Sequence, residues 1–359
     1  MAAVKYKLIA DQIRSRILKN DYKVGESIPT ELQLQKDYGV SRYTVREAVS
    51  LLVNEGYLKK EKGSGTYVTE KYLQGSQKGN LLIGFITTHL SDYIFPAIIS
   101  GIEKEMSQYG YSLLLASSNG THEGELKCLE MMMSQGIAGL IVNPTNSSRY
   151  NPNLANYLFF KEKNIPLVMI NAHYEELETP YIEVDDVHAG YLATNHLIEN
   201  GHSEIILVSK VDEMQGKHRM KGFVKAYEKN NLIFQPDNII TFETQTKDEQ
   251  VEKVIAKISD NKNSATAIYC YNDELAKEII QKLNEIGKCV PEDISVIGQD
   301  DSRISLIGER KLTTITHPKD EMGKRAAQWV ISAIEEGKIG DNTIYVPELV
   351  QRETVKSLL

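Results

Sequence analysis

The stretch PTELQLQKDYGVSRYTVREAVSLLVNEGYL (residues 29–58) decides the fold of the N-terminal part of the chain. Thr30 and Gln33 have the spacing of a capping box, and Gly39 is placed to end the helix that this box begins. Ser41 follows within a very short turn and is placed to cap the next helix. The inward face of that helix is predicted to be apolar, with Val45, Ala48, Val49 and Leu52. The stretch therefore predicts two helices joined by a tight turn.

The residues on either side complete the pattern. Upstream, apolar residues recur at helical spacing and predict an amphipathic first helix, with Tyr6, Ile9, Ala10, Ile13 and Ile17 on one face. Downstream, Gly56 ends the last helix, and residues 57–60 and 66–69 are typical of two strands joined by residues 62–65. The predicted order is a winged helix-turn-helix. In such a domain, a helix fits the major groove of DNA, where arginine side chains pair with guanine edges or phosphates.

Residues 6–68, which include the quoted stretch and KGSGTYV (62–68), resemble the DNA-binding domain of the GntR family. The resemblance implies DNA contacts from the second helix, the recognition helix and the wing, by Glu31, Arg42, Tyr43, Thr44, Arg46, Gly65 and Thr66. It implies that a homodimer binds a palindromic operator through the major groove. The alternative is that Arg42 and Arg46 are solvated cations of a small protein-binding domain.

Charge separates this region from the rest of the chain. Residues 1–70 hold 12 basic and 9 acidic residues, whereas the remaining residues hold 29 basic and 40 acidic ones. Different partners are therefore expected for the two parts. Between them, KYLQGSQKGN (71–80) has no apolar periodicity and is typical of a linker. The predicted domains are residues 1–70, a linker at 71–80, and residues 81–359.

Several compartments and partners are disfavoured. No apolar run approaches the roughly 20 residues that span a bilayer, so no membrane association is expected. The N-terminus lacks the pattern of an export signal. Cys128, Cys270 and Cys289 are widely spaced and form no C-x-x-C pair. A cytoplasmic protein is expected.

Beyond residue 81, short apolar runs alternate with helical segments; the runs include LLIGFI, SLLLAS, GLIV, PLVMI, AIYCY and SVIG. This rhythm predicts an α/β fold with parallel sheets covered by helices on both faces. The number of runs favours two sheets, each in its own lobe. A ligand is expected in the cleft between them, at the carboxyl ends of the strands.

The motifs IGFITTHLSDYIFPAIISGIEKEM, HAGYLATNHLIENGHSEI, AIYCYNDELA, VPEDISVIGQDD and LTTITHPKDEMGKRAA occur in that order between residues 83 and 352. They resemble the effector domain of the lactose and galactose repressor family, which is similar to periplasmic sugar-binding proteins. Joined to a GntR-type head, this domain is characteristic of arabinose-responsive repressors. The resemblance implies a two-lobed, periplasmic-binding-protein-like domain that binds a monosaccharide inducer, L-arabinose, with another pentose or hexose as the alternative.

A sugar needs planar hydrogen-bonding groups for its hydroxyls and an aromatic ring for its C–H face. Candidates follow the predicted strands or lie near helix starts: Asp92, Tyr93, Phe95, Asn171, Arg219, Asn272 and Asp300. The family pattern implies that Phe95 stacks on the ring and that Asp92 accepts hydroxyl protons. Further candidates are Tyr174, Asp185, Gln215 and Asp273. Three alternatives stay open: Asp273 caps a helix, Phe95 is only a core residue, and Arg219 forms a structural ion pair.

Enzymatic functions are less well supported. The sequence has no H-E-x-x-H motif and no G-x-S-x-G elbow, and we expect neither a metal nor a cofactor. Scattered carboxylates could still form an acid and base pair, as in a sugar-processing glycosidase. An aminotransferase-like body needs more residues than are present after the head. The sequence therefore predicts a repressor that is not an enzyme and that a sugar releases from DNA.

Overall fold

The computed structural model describes residues 2–19, 21–61, 64–69, 82–90, 93–260, 264–338 and 340–359. These residues form two compact units. The smaller unit contains the chain up to Leu81, and the larger contains nearly all of it from Leu82 to Leu359. The predicted linker at 71–80 and the candidate Asp92 lie outside the described residues.

The smaller unit is a winged helix-turn-helix, as predicted. Its elements are α1 (Ala2–Leu18), α2 (Glu31–Tyr38), α3 (Arg42–Asn54) and an antiparallel hairpin of β1 (Leu58–Glu61) and β2 (Gly65–Val68). The Thr30 hydroxyl accepts a hydrogen bond from the Gln33 amide at 3.3 Å, and the Ser41 hydroxyl accepts one from the Thr44 amide at 3.2 Å. The predicted inward face of α3 is buried against the apolar face of α1.

The first lobe of the larger unit is built on a six-stranded sheet in which every pair of neighbouring strands is parallel, in the order β13-β7-β6-β5-β3-β4. Its strands are β3 (Leu82–Thr87), β4 (Ser112–Ser117), β5 (Gly139–Val142), β6 (Leu167–Ile170), β7 (Tyr181–Val184) and β13 (Thr343–Tyr345). Its helices are α4 (Phe95–Gln108), α5 (His122–Gln135), α6 (Leu154–Glu162) and α11 (Lys319–Glu336). The central strands are buried on both faces, which explains their continuous apolar sequence.

The second lobe has a four-stranded parallel sheet in the order β11-β10-β8-β9. The strands are β8 (Ile205–Lys210), β9 (Ile239–Phe242), β10 (Ala267–Cys270) and β11 (Ser295–Ile297). The helices are α7 (Asp186–Glu199), α8 (Met214–Lys229), α9 (Lys247–Ser259) and α10 (Asp273–Glu285). The chain passes between the lobes near a short antiparallel pair, β12 (Thr314–Ile315) and β14 (Leu349–Val350). The expected two-lobed α/β architecture is confirmed.

Two glycines bring α7 and α8 unusually close together. A Cβ atom on Gly190 would overlap the Arg219 carbonyl oxygen, and one on Gly222 would overlap that of Val187. The bare glycine surfaces therefore let the two backbones touch. This close crossing places the first residue of α7, Asp186, beside Arg219 in α8.

No helix in the described ranges combines the length and the apolar character that crossing a bilayer requires.

Candidate functional site

The smaller unit gathers cations around one carboxylate. Glu31, at the start of α2, lies 3.2 Å from Arg46 and 3.6 Å from Arg42 in α3, and 3.3 Å from Lys60 in β1. α2 packs against α3, and the ion pairs show that the first residue of α2 lies beside the first two turns of α3. The structure therefore brings together three sequence-predicted DNA contacts and adds Lys60, which sequence reasoning missed.

The cationic surface of the head is defined here as Glu31, Arg42, Tyr43, Arg46 and Lys60, and its members differ in exposure. The Arg42 and Arg46 side chains are 68% and 58% exposed, and Tyr43 is 70% exposed. Partial burial acts to raise the pKa of the Glu31 carboxyl, but Lys60 and Arg46 outweigh burial and lower it. The surface thus presents cations that share one ionised carboxylate.

The remaining candidates in this unit lie at its edges. Thr44 is half-buried, and its hydroxyl is 2.8 Å from that of Ser41, so it takes part in capping α3. Gly65 begins β2 with φ +143°, a conformation that favours glycine, and Thr66 follows it half-buried. Both stand in the wing, as predicted.

A cavity of about 660 Å³ lies between the two lobes of the larger unit. Seven sequence-predicted residues line it: Tyr93, Phe95, Asn171, Gln215, Arg219, Asn272 and Asp300. Other lining residues include Thr88, Asn143, Lys210, Glu213, Tyr271 and His317. Thr88, Asn143, Asn171 and Tyr271 directly follow parallel strands, and the carboxyl ends of neighbouring strands lie at one edge of a sheet.

The first lobe contributes a ladder of hydrogen-bonded side chains. Thr88, Asn143 and Asn171 come after β3, β5 and β6, which are adjacent in the sheet. The Asn143 amide donates to the Thr88 hydroxyl at 3.2 Å, and the Asn171 amide donates to Asn143 Oδ1 at 2.9 Å. His317 Nε2 lies 2.9 Å from Asn171 Oδ1 and extends the ladder. These polar groups are buried, and their mutual hydrogen bonds fix their orientation.

His317 leaves one ring nitrogen available. With Nε2 donating to Asn171, Nδ1 is an acceptor, and it is buried without a hydrogen-bond partner among the described residues. Burial lowers the pKa of His317 to about 4, so the ring is neutral at pH 7. A ligand hydroxyl could satisfy this acceptor.

The second lobe contributes a buried arginine between two aspartates. Arg219 Nε donates to Asp186 Oδ1 at 2.8 Å, and Nη2 donates to Asp300 Oδ1 at 3.3 Å. The guanidinium also lies over the Tyr271 ring, 4.8 Å from its centre. Burial raises the pKa of Asp186 to about 7, and Arg219 opposes that shift. Arg219 therefore forms the structural ion pair that the sequence left open as an alternative. The same residue also lines the cavity.

Several polar contacts join the lobes, and two of them end on carboxylates that line the cavity. Tyr93 in the first lobe donates to Asp300 Oδ2 in the second at 2.6 Å. The Ser147 hydroxyl, in the loop after β5, donates to Glu213 Oε2 before α8 at 3.0 Å. Asp300 and Glu213 also line the cavity, so these two interlobe contacts end on groups that face it. Other interlobe contacts, such as that of Ser148 with the Val211 carbonyl, lie outside the cavity lining.

Phe95 lines the cavity and also packs in the core of the first lobe. It begins α4 and precedes Pro96, whose fixed φ suits the first turn of a helix. Its ring is only 8% exposed, which leaves one apolar surface for contact with a ligand.

Tyr174 is not in the cavity. Its ring is 1% exposed, and its hydroxyl lies 2.5 Å from Glu125 Oε1 and 2.8 Å from the Thr145 amide. The fully buried Glu125 also accepts hydrogen bonds from Asn151 at 2.7 Å and Asn153 at 3.0 Å. Tyr174 therefore fixes the loop after β5 instead of facing the cleft.

Asp185 and Asp273 also lie outside the cavity lining. Asp185 caps α7 by accepting from the His188 amide at 2.8 Å, and its neighbour Asp186 pairs with Arg219. Asp273 accepts from the Ser302 amide at 2.8 Å and from the Thr314 hydroxyl at 2.6 Å, so both carboxylate oxygens are occupied by the protein. The residue that caps α10 is Asn272, whose Oδ1 accepts from the Leu275 amide at 2.9 Å.

Sequence reasoning also missed lining residues. Asn143 follows GLIV as Asn171 follows PLVMI, so the rule that identified Asn171 could have found it. His317 follows a strand of only two residues, Thr314–Ile315, which leaves no readable apolar run. Within the described part of the chain, no group of three or more His, Cys, Asp or Glu side chains is arranged to hold a metal ion.

Comparisons with known proteins agree with this architecture. Residues 5–68 match the family described as bacterial regulatory proteins, gntR family, and residues 194–355 match the periplasmic binding protein-like domain. The arabinose metabolism transcriptional repressor of Halalkalibacterium halodurans is 42% identical over 98% of this chain and 96% of its own length. The protein of the same name from Geobacillus stearothermophilus is 40% identical over 99% of this chain and 98% of its own length.

Among solved structures, a LacI family transcriptional regulator from Enterococcus faecium with bound ribose has 25% identity and a TM-score of 0.67. The match covers 77% of this chain and 100% of the Enterococcus faecium chain. The similarity to the two repressors spans both units, so it includes the head, the larger unit and their order along the chain. The chain therefore belongs to the family of transcriptional repressors that join a GntR-type DNA-binding head to a periplasmic-binding-protein-like domain.

Proposed function

We propose that this chain is a sugar-responsive repressor that binds L-arabinose in the cavity of its larger unit and operator DNA through its head. The observation that carries the proposal is the convergence, in one interlobe cavity, of an aromatic ring with planar hydrogen-bonding groups from both lobes. The names of the two relatives that match over nearly the whole chain support arabinose as the sugar.

The cavity chemistry suits a small polyhydroxylated ring. The amides of Asn171 and Asn272 and the guanidinium of Arg219 can each pair with neighbouring hydroxyls, while Asp300 and His317 Nδ1 accept hydroxyl protons. Phe95 offers an apolar face to the ring C–H groups. A ligand without hydroxyls would leave these buried polar groups unpaired, which is costly. The same chemistry can serve another pentose or a hexose.

Titration of the full-length protein with L-arabinose, D-xylose, D-ribose and D-galactose tests the choice of sugar. We expect L-arabinose to raise the melting temperature and to bind in calorimetry, with the other sugars weaker by about tenfold or more. Binding of none of them would contradict the proposed sugar site. Equal binding of all four would contradict the proposed selectivity and leave the site itself supported.

We propose that the head binds a palindromic operator as part of a homodimer and that Arg42 and Arg46 reach the major groove. Arg46→Ala is expected to weaken operator binding by about 5- to 150-fold, the value of one good base contact. Sugar affinity should not change, because Arg46 belongs to the smaller unit. Fluorescence anisotropy with a labelled operator and calorimetry with the sugar measure the two effects.

Lys7→Ala is the control for the Arg46 variant, since it removes one exposed positive charge from α1. It should reduce operator affinity much less than Arg46→Ala does. Equal losses from the two substitutions would show that Arg46 contributes only net charge.

The proposed mechanism is a shift between two arrangements of the lobes. A sugar in the cavity contacts Asp300 and Glu213, two of the residues that take part in interlobe contacts, and so favours one arrangement. In the dimer, that arrangement changes the spacing of the heads and releases the operator. The protein is proposed to bind the sugar without transforming it. Release of free arabinose from an arabinoside by the purified protein would contradict this part.

A further inference from the structure

The backbone of Asp300, whose carboxylate lines the cavity, has an unusual conformation. Asp300 has φ +96° and Asp301 has φ +42°, both in a region that residues other than glycine rarely adopt. Two such residues in succession persist only when the surrounding structure holds them in place. Because this loop follows β11, its shape decides where the Asp300 side chain points.

The ammonium group of Lys319 holds that loop. Lys319 is half-buried at the start of α11, and Nζ donates to the carbonyl oxygens of Asp300 and Asp301, the latter at 3.1 Å. It also lies 3.0 Å from the carbonyl oxygen of His317. An ammonium group has three N–H donors, and these three acceptors use them all.

A second cation fixes the other half of the loop. Arg352 Nη2 lies 2.5 Å from Asp301 Oδ1, while Nη1 donates to the Leu312 carbonyl at 2.8 Å. The side chain of Asp301 is therefore held by Arg352. The Asp300 amide donates to the Ile315 carbonyl at 2.9 Å, and Lys319 binds the Asp300 carbonyl oxygen.

We propose that Lys319 is a positioning residue for sugar recognition: by binding the Asp300 and Asp301 carbonyls, it fixes the backbone that presents the Asp300 carboxylate to the ligand. Lys319 is not among the described residues that line the cavity, so it acts through Asp300 and not by contact with the sugar. The proposal rests on the proposed sugar-binding function, in which Asp300 accepts a sugar hydroxyl.

The arrangement explains how the Asp300 carboxylate contacts two protein partners while it faces the cavity. Arg219 Nη2 donates a hydrogen bond to Oδ1 at 3.3 Å, and the Tyr93 hydroxyl donates one to Oδ2 at 2.6 Å. Hydrogen bonds depend on direction, so a rotated carboxylate would lose both of them. Without the ammonium, three carbonyls at the crossover between the lobes lose their common donor. The loop can then relax towards ordinary φ values and turn the carboxylate away from the cavity.

The test is a double-substitution cycle in the full-length protein, with L-arabinose as the probe. Calorimetry, and thermal shifts over millimolar sugar for weak binders, give the affinities of the original chain, Lys319→Met, Asp300→Ala and the double variant. Lys319→Met is expected to weaken binding about tenfold, the loss when one hydrogen bond to a charged acceptor is misplaced. In the Asp300→Ala background, the same change should cause almost no further loss.

Three controls separate the possible outcomes. Lys311→Met removes an exposed lysine near the same loop and should leave sugar affinity unchanged. Lys319→Gln keeps an N–H donor, so it should weaken sugar binding less than Lys319→Met does. If the methionine variant does not fold, Lys319→Gln takes its place in the double-substitution cycle. Circular dichroism and unfolding curves establish which variants are folded.

Each result decides one question. If Asp300→Ala leaves sugar affinity unchanged, the proposed sugar site is wrong, and the role of Lys319 falls with it. If Asp300→Ala weakens binding but the Lys319 variants do not, only the positioning role is overturned. Equal losses from Lys319→Met with and without the Asp300 carboxylate would also overturn it, because the lysine would then act independently of Asp300.

Discussion

Arg219→Met is expected to lower the free energy of unfolding of the larger unit by about 3–5 kcal/mol, the cost of removing one partner from a buried ion network. Methionine fills a similar volume but leaves Asp186 and Asp300 without their shared cation. The Tyr271 carbonyl also loses a donor at 2.6 Å. Urea unfolding at pH 7.5, followed by circular dichroism, measures the change.

The control is Arg325→Met, which removes an exposed arginine from α11 and should change the free energy of unfolding by less than about 0.5 kcal/mol. The Arg219 variant should also fail to bind the sugar, since its guanidinium lines the cavity. A loss of stability no larger than that of the control would show that Arg219 is not the partner of the two buried carboxylates.

His317 should make the stability of the larger unit depend on pH in a defined window. Burial holds its pKa at about 4, whereas the ordinary value is 6.5, so the unfolded chain binds a proton more tightly than the folded one. This contribution to stability is complete above pH 6.5 and is lost as the pH falls towards 4. Between pH 8 and pH 4.5 the loss is about 2.5 kcal/mol, at 1.36 kcal/mol for each pKa unit.

His317→Gln isolates this contribution, because the other titrating groups remain in both proteins. Glutamine can keep a donor to Asn171 but cannot take up a proton. The free energies of unfolding of the two proteins should therefore differ by about 2.5 kcal/mol less at pH 4.5 than at pH 8. A difference that stays constant with pH would mean that the imidazole is not buried as a neutral group.

Sequence reasoning located the parts of the cavity that follow from strand ends. Asn171 directly follows a buried parallel strand, while Asn272 and Asp300 stand two and three residues beyond one, and in a parallel sheet these positions meet at one edge. The capping residues of the head, Thr30 and Ser41, were predictable for a similar reason, since each depends only on residues three positions away. Local rules therefore sufficed for these positions.

Other positions depend on contacts that local rules do not contain. Tyr174 pairs with Glu125, 49 residues earlier in the chain, and this contact draws the ring away from the cleft. Asp185 and Asp186 are adjacent, yet one caps α7 and the other faces Arg219, because one step along a helix turns the side chain by about 100°. Lys319 and His317 act at the crossover between the lobes, where no apolar run marks a strand end.

The geometry of the cavity gives the proposed switch a physical basis. The interlobe contacts of Tyr93 and Ser147 end on Asp300 and Glu213, so a ligand that binds these carboxylates changes two of the contacts between the lobes. A sugar can move the equilibrium only by the difference between its affinities for the two arrangements. For a coupling of about 1–3 kcal/mol, that difference is about 5- to 150-fold.

The most direct test of this coupling is calorimetric titration of the full-length protein with L-arabinose, first alone and then saturated with operator DNA. In anisotropy experiments, the sugar is expected to weaken operator affinity by about 5- to 150-fold. Because coupling is reciprocal, operator should weaken sugar affinity in calorimetry by the same factor. Identical sugar affinities with and without operator would contradict the claim that the cavity controls the hold of the heads on DNA.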